Sequence, residues 1–171
     1  MDFSTPDLHD INPSMDVLTI DLKSFGGLEK FYGQIVTLEC PEDNSKLKEL
    51  VHEEGANKVI FVQGNGSRNV ALLGDLLASK AIENNWSGII INGCVRDVEI
   101  LKKLKIGIYA LGACPKKSYK ENKGVLSSNF TINDTKICNG HWVYCDLNGI
   151  LISEDNKLWV ISKNYTKLLL L

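Results

Sequence analysis

The sequence predicts an α/β fold, with a central parallel β-α-β-α-β part and a β-rich closing segment. Three observations carry this. Short apolar runs at 58–62, 88–91 and 106–111 alternate with stretches of helical period, the pattern of a parallel sheet with covering helices. The first two runs end in turn chemistry, Gln63-Gly64-Asn65-Gly66-Ser67 and Asn92-Gly93. Beyond Ser127 the helical period stops, and short strand-like runs are separated by Asn-Asp and Asn-Gly turns.

In chain order, Ser4-Thr5-Pro6-Asp7 opens a helix over 2–10, with a capping hydroxyl and a proline in the first turn. Residues 34–40 (QIVTLEC) alternate apolar and polar, as a half-buried strand does. Leu47, Leu50 and Val51 form a helical stripe over 44–54, closed by Gly55. A strand at 58–62 leads into the glycine-rich turn. Helices are expected over 75–85 and 96–104, on either side of a buried strand at 88–91 and a turn at 92–93. A strand at 106–111 follows. Strands at 129–132, 135–138, 142–145 and 150–153 close the sheet, and a last helix is expected from Glu154. With no repeat, low-complexity stretch or linker, residues 1–171 read as one domain.

The 171 residues suffice for one domain with a real core. Hydrophobic residues at 44% and charged residues at 23% are ordinary values. A net charge of −2 and a pI near 5.9 leave no basic excess, which argues against direct nucleic-acid binding as the main task. The densest basic run, 115–123 (Pro-Lys-Lys-Ser-Tyr-Lys-Glu-Asn-Lys), reads as a solvated loop, with a phosphate or partner contact as the alternative. The five cysteines are odd in number and have no CxxC spacing. The first fifteen residues are polar and acidic rather than an apolar export segment. The cysteines therefore read as reduced core thiols of a cytoplasmic protein. Apolar runs are too short to span a bilayer, so no membrane partner is expected. The leucines at 168–171 suit packing on a partner subunit or on the chain's own core.

The chemistry concentrates between 74 and 97. Parallel strands deliver their C-terminal ends to one sheet edge, where ligands sit. The loops at 64–67 and 92–97 follow neighbouring strands and so meet there. Gly74 to Leu77 begins a helix whose free N–H groups can take a carboxylate or phosphate. Arg96 is a planar fork for a two-point grip on a carboxylate. Asp75 and Asp97 suit a hard divalent cation, directly or through water. The plainer alternative makes Asp75 a helix-start residue favoured by the dipole and Arg96-Asp97 a surface pair. His9, His52 and His141 are scattered and read as surface or helix-end residues. Cys94 reads as a core thiol, Ser67 as a turn cap or, with Arg68, a ligand contact, and Trp86 and Trp142 as packing.

Asp75, twenty residues, then Arg96-Asp97 resembles the Asp-X20-Arg-Asp motif of the RraA-like family. That family includes class II 4-hydroxy-4-methyl-2-oxoglutarate aldolases, oxaloacetate decarboxylases and the regulators of ribonuclease E activity named RraA. The resemblance runs nearly the whole chain. It takes in Asp7-Leu8-His9-Asp10, the stretch from Phe31 to Leu38, Glu42-Asp43-Asn44 and the strand with its glycine-rich loop. It continues through 84–88, 106–108, Pro115-Lys116-Lys117-Ser118 and 146–150.

The resemblance implies a swivelling β/β/α-type sandwich assembled as a homotrimer, with Mg²⁺ or Mn²⁺ as cofactor. By the same resemblance, Asp97 is the direct metal ligand and Asp75 holds metal-bound water; chemically, such a water beside Asp75 is placed to relay the proton. Arg96 grips the carboxylate of a small keto-acid substrate and steadies the enolate. Gly74 and the backbone amides of Leu76 and Leu77 bind that carboxylate too. Such a protein is a metal-dependent lyase, cleaving 4-hydroxy-4-methyl-2-oxoglutarate-type acids and decarboxylating oxaloacetate. The alternative is a non-catalytic regulator that docks on ribonuclease E and inhibits it.

Three departures from the aldolase pattern bear on substrate choice and aldol efficiency rather than on metal binding. Ile100 stands where the pattern has an acidic residue, with Glu99 one position earlier. Gln63 replaces an aspartate before the loop, and Asn65 replaces a glycine. The acidic residue that the aldolases draw from a longer C-terminal segment of the neighbouring subunit has no counterpart in this sequence.

Overall fold

The structure, a computed structural model, describes residues 3–158. Helix α1 (Thr5–Ile11) starts where Ser4 Oγ accepts the Asp7 N–H at 3.2 Å. Two short strands follow, β1 (Asp16–Val17) and β2 (Lys23–Ser24). In β3 (Phe31–Glu39), burial alternates along most of the strand as the sequence does. Helix α2 (Ser45–Leu50) buries Leu47 and Leu50. Strand β4 (Val59–Gln63) is buried throughout, and so is the three-residue β5 (Ala71–Leu73) beyond the glycine-rich turn. Helix α3 (Asp75–Glu83), strand β6 (Gly88–Val95), helix α4 (Val98–Leu101) and strand β7 (Gly107–Ala113) complete the central part. Strands β8 (Val125–Leu126), β9 (Phe130–Ile132), β10 (Thr135–Ile137), β11 (Trp142–Asp146) and β12 (Gly149–Ser153) form the closing segment.

The main sheet runs β1-β12-β11-β3-β4-β6-β7-β2, with β5 added to β6 and β8 to β3. Its centre, β3-β4-β6-β7, is parallel, and the flanking strands are antiparallel. One face of the parallel centre packs Ile60, Val62, Ile89 and Ile91 with Leu47, Ala78 and Leu101 of the helices. The other face packs Phe31, Phe61 and Ile90 against Ile132, Ile137, Val143 and Ile152 of the closing strands. Helices, parallel sheet and a second β layer thus stack in the order expected of a β/β/α sandwich. A smaller cluster seats Leu8 of α1 on Tyr144 and Leu151. Among the described residues, no helix is long and apolar enough to cross a membrane.

The structure corrects several local expectations. Strand β6 does not turn at Asn92-Gly93; it shifts register between Ile91 and Cys94 and continues to Val95. The buried Asn92 side chain donates to Gln63 Oε1 at 2.8 Å, which gives the amide a partner inside the sheet. Helix α4 covers 98–101 rather than 96–104, because Arg96 is still bonded to β5 and Asp97 is left-handed at the cap, φ 57°. Helix α2 ends at Leu50, four residues short of expectation. Strands β1, β2, β5 and β8 have no counterpart in the sequence reading, since two or three residues show no period. Residues 154–157 are bends and irregular chain and Leu158 is helical; the rest of the expected last helix lies outside the described residues, as do the leucines at 168–171.

Candidate active site

Strands β5 and β6 end side by side. Ala71 aligns with Cys94 and Leu73 with Val95, and the Arg96 N–H donates to the Leu73 carbonyl at 2.9 Å. This bond closes the interval between the two ends of the motif. Gly74-Asp75 leaves the edge from one strand, and Arg96-Asp97 leaves it from the next.

Asp97 is the hub. Its Oδ2 accepts from Arg96 Nε at 3.1 Å and from the Asp75 N–H at 3.4 Å. Burial raises the Asp97 carboxyl, but the Arg96 hydrogen bond, the Asp75 N–H and the guanidinium charge hold it below the ordinary range. The residue is half-buried and ionised at neutral pH. Its left-handed backbone is uncommon outside glycine, though tolerated by Asp, and places the carboxylate back over the end of β5. Gly74 makes room for it: a Cβ there would lie 2.6 Å from Asp97 Oδ2 and 3.2 Å from Arg96 Cγ. Asp75 begins α3, and its Oδ1 accepts the Leu76 N–H at 2.8 Å. Of the two expected amides, Leu76's is thus held by Asp75. Leu77's lies in the first helical turn, where N–H groups lack intrahelical acceptors. The Leu76 side chain is 80% exposed.

The glycine-rich turn is built on Gln63, whose Oε1 accepts from the Asn65 N–H at 2.9 Å as well as from Asn92. Asn65 is left-handed, which Asn tolerates. Ser67 Oγ donates to Glu42, and Asn69 Nδ2 donates to the same oxygen at 2.8 Å. Those two hydrogen bonds hold the Glu42 carboxyl low. Ser67 is therefore a tie across the edge. Burial pushes the Cys94 thiol up against the pull of Arg68, which fits a core thiol. All five cysteines are unpaired.

The basic run at 115–123 is exposed, as a solvated loop is, except at the buried Ser118, but its backbone is tied down. It crosses the C-terminal edge of the sheet as a strap. The Ala71 N–H donates to the Lys116 carbonyl at 2.8 Å, and Tyr119 bridges to Asp43. Lys120 Nζ donates to Asn44 Oδ1 and, at 3.4 Å, to Ser118 Oγ. Asn44 is itself fixed by donating to the Leu72 carbonyl at 2.6 Å. Burial lowers the Lys120 ammonium, and Lys48, Lys117 and Arg96 lower it further against the pull of Asp43. Sequence reasoning missed Asn44 as the tie between the strap and β5, although Asn44 and Ser118 both fall in segments that carried the family resemblance.

Among the described residues, no three His, Cys, Asp or Glu side chains converge on a metal position. The edge offers the two carboxylates Asp75 and Asp97. A pair of hard oxygen donors with the remaining positions left to water suits Mg²⁺ or Mn²⁺, and one of the pair is held ionised. Of the histidines, His52 is bonded through Nδ1 to the Lys48 carbonyl at 2.7 Å, four residues back along the chain. Trp86 is core, its Nε1–H satisfied by the Glu53 carbonyl at 3.0 Å.

Residues 5–152 match the family model described as Aldolase/RraA, of RraA-like proteins. A relative from Photobacterium profundum, provisionally named 4-hydroxy-4-methyl-2-oxoglutarate aldolase, is 46% identical over 88% of this chain and 93% of its own. Among solved structures, the RNA-processing inhibitor RraA from Thermus thermophilis superposes with a TM-score of 0.88 and 40% identity, covering 91% of this chain and 94% of that one. A Geobacillus kaustophilus protein described as S-adenosylmethionine: 2-dimethylmenaquinone methyltransferase superposes with a TM-score of 0.89 and 36% identity, covering 91% and 98%.

Proposed function

The chain belongs to the RraA-like family, and from that premise we propose that it is a divalent-metal-dependent lyase. Its substrates are 4-hydroxy-4-methyl-2-oxoglutarate-type acids, cleaved to pyruvate and a second keto acid, and oxaloacetate, which it decarboxylates. Its relatives carry the names of an aldolase, an RNA-processing inhibitor and a methyltransferase, so the choice rests on the site. The observation that carries it is the Arg96–Asp97 pair, 3.1 Å apart and packed on Gly74-Asp75. It puts a fixed guanidinium beside an ionised carboxylate at the strand edge where a 2-oxo acid would sit.

Asp97 would hold the metal directly and Asp75 through water. Bound there, Mg²⁺ or Mn²⁺ supplies Lewis-acid polarisation of the substrate's 2-keto group. Arg96 commits Nε to Asp97 and keeps its terminal nitrogens for the substrate carboxylate and the charge that develops on the enolate oxygen. The Leu77 N–H adds a donor to that carboxylate, joined by Leu76 once Asp75 turns away. Cleavage breaks the bond between C3 and C4, and the electron pair passes into the pyruvate enolate. Asp75, through a water, takes the proton of the 4-hydroxyl and returns one to C3. Loss of CO₂ from oxaloacetate gives the same enolate without the hydroxyl proton. A homotrimer is part of the same proposal and predicts three times the chain mass in light scattering.

The test is pyruvate release from oxaloacetate with Mg²⁺ or Mn²⁺, with EDTA, and with Asp97→Ala. Metal-dependent turnover abolished in the variant supports the lyase. A rate no higher than free metal overturns it. The second reading, inhibition of ribonuclease E without chemistry, is favoured by the name of the Thermus relative. It predicts that purified protein slows ribonuclease E and that Asp97→Ala does so equally.

A further inference from the structure

We infer that the cleft between α2 and the strap is a binding site for a small phosphate-type dianion, held between Lys48 and Lys120. The inference stands apart from the lyase reading, since neither lysine belongs to the group formed by Asp75, Arg96 and Asp97. The cleft has a volume of about 620 Å³, with Ser45, Lys48, Glu49 and His52 on one wall and Lys120 on the other. The spacing of 45, 48, 49 and 52 puts those four on one face of α2 and of the turn that continues it.

The two walls are tied to each other. Ser45 Oγ accepts the Asn122 N–H at 3.3 Å. Asp43, buried between β3 and α2, accepts the Ser45 N–H at 2.7 Å with Oδ1 and the Glu121 N–H with Oδ2. The Lys120 ammonium is oriented by Asn44 Oδ1 and, at 3.4 Å, by Ser118 Oγ. Those two acceptors take two of its three protons and leave the third for a ligand. The contact of His52 Nδ1 with the Lys48 carbonyl at 2.7 Å requires the ring proton on Nδ1, which leaves Nε2 for a ligand as well.

The carboxylates nearby are already committed. Glu49 pairs with Lys46 at 2.9 Å, and Glu121 pairs with Lys123. Asp43 is taken up by the backbone N–H groups of Ser45, Glu121 and Lys123. Among the described residues, Lys48 and Lys120 have no carboxylate at ion-pair distance. Burial lowers the Lys120 ammonium, and Lys48 and Lys117 lower it further against the pull of Asp43. An anion between the lysines relieves that repulsion through charge-assisted hydrogen bonds. A planar carboxylate meets donors in one plane, whereas the tetrahedral oxygens of a phosphate reach donors on both walls. The cleft is larger than a bare phosphate and leaves room for the rest of a small monoester. This is the phosphate contact that the basic run at 115–123 held open as an alternative.

The test is the melting temperature of the full chain in metal-free buffer at constant ionic strength, with inorganic phosphate, phenyl phosphate or chloride. Phosphate raises Tm above the chloride value, and its concentration dependence gives Kd. Lys120→Gln and Lys48→Gln each weaken binding roughly tenfold. Arg96→Gln leaves it unchanged, and so does Lys105→Gln, an equal loss of charge at an exposed site before β7, beyond the opposite end of the parallel strands. Lys48 Nζ makes no hydrogen bond or ion pair among the described residues, so its variant decides the matter should Lys120→Gln fail to fold. Tighter binding of phenyl phosphate than of inorganic phosphate marks a monoester as the ligand and equal binding marks free phosphate; either supports the site. No rise beyond chloride, an equal loss in Lys105→Gln, or a loss confined to Arg96→Gln overturns it.

Discussion

The place a Cβ would occupy on Gly74 lies 2.6 Å from Asp97 Oδ2, closer than two such atoms approach. The glycine at the start of α3 is there for the carboxylate that follows β6, since its own φ of −137° is open to other residues. Gly74→Ala therefore pushes Asp97 off Arg96. Turnover of oxaloacetate should fall on the order of a hundredfold, the usual penalty of misplacing a reacting group by about an ångström. The melting temperature should change little, because alanine at a cap costs only ~1 kcal/mol. A variant with full activity would disprove the steric argument.

Metal binding has a readout that needs no substrate. A cation that binds the folded state at a hundred times its Kd stabilises it by ~2.7 kcal/mol, which for a chain of this size raises Tm by about 5–10 °C. Mn²⁺ should give such a shift in calorimetry with the wild type and none with Asp97→Ala. Equal shifts in both would place the metal elsewhere.

Acid should act through the low carboxyls. Asp43 falls from the ordinary 3.8 to about 2, as the bonds from Ser45, Glu121 and Lys123 outweigh burial. Asp97 and Asp146 shift in the same direction. Between the unfolded and folded values the unfolded chain binds more protons. The contribution is complete above the ordinary value and disappears as pH falls through the folded one. Urea midpoints should drop steeply below about 3.8. Asp43→Asn should be less stable at neutral pH and lose less of its stability across that interval.

Thr37 Oγ1 is buried on β3 with no hydrogen-bond partner among the described residues. Thr37→Val keeps the shape and removes an unpaired hydroxyl. It should be neutral or stabilising by up to ~1 kcal/mol in urea titration. A clear loss would mean that the hydroxyl has a bound water.

Gly107 faces Phe31, and a Cβ there would fall within the ring. Gly107→Ala should destabilise by about 1–3 kcal/mol or more. Phe31→Leu in the same chain should recover part of the loss, which equilibrium unfolding of the double variant checks.

Much of this fold was legible because the parallel centre is made of continuous apolar runs. The strands at 58–62 and 106–111 came out as β4 and β7 with small shifts at the ends, and that at 88–91 as the first half of β6. What stayed hidden depends on partners distant in the chain. Asn92-Gly93 is a turn pair by local chemistry, and it remains in β6 because Gln63 satisfies the asparagine. Strand β5 exists because β6 offers it an edge, which three apolar residues cannot announce. At the site, the sequence identified Asp75, Arg96 and Asp97 as a group, and the structure brings them together. It could not show the strap held against that edge, because that contact depends on Asp43, 78 positions from Glu121.

The hydrogen bond from Arg96 to Leu73 turns the spacing of the motif into a closure condition. The chain between must run out along α3, turn at 84–87 and return along β6 to meet its own starting point. One residue added within β6 would reverse the face of every side chain beyond it, so that Arg96 and Asp97 would point into the opposite layer. Length can vary only in the turn, at the far end of the sheet. The interval is therefore a ruler cut to the thickness of the fold, and the site can drift in chemistry far more readily than in spacing.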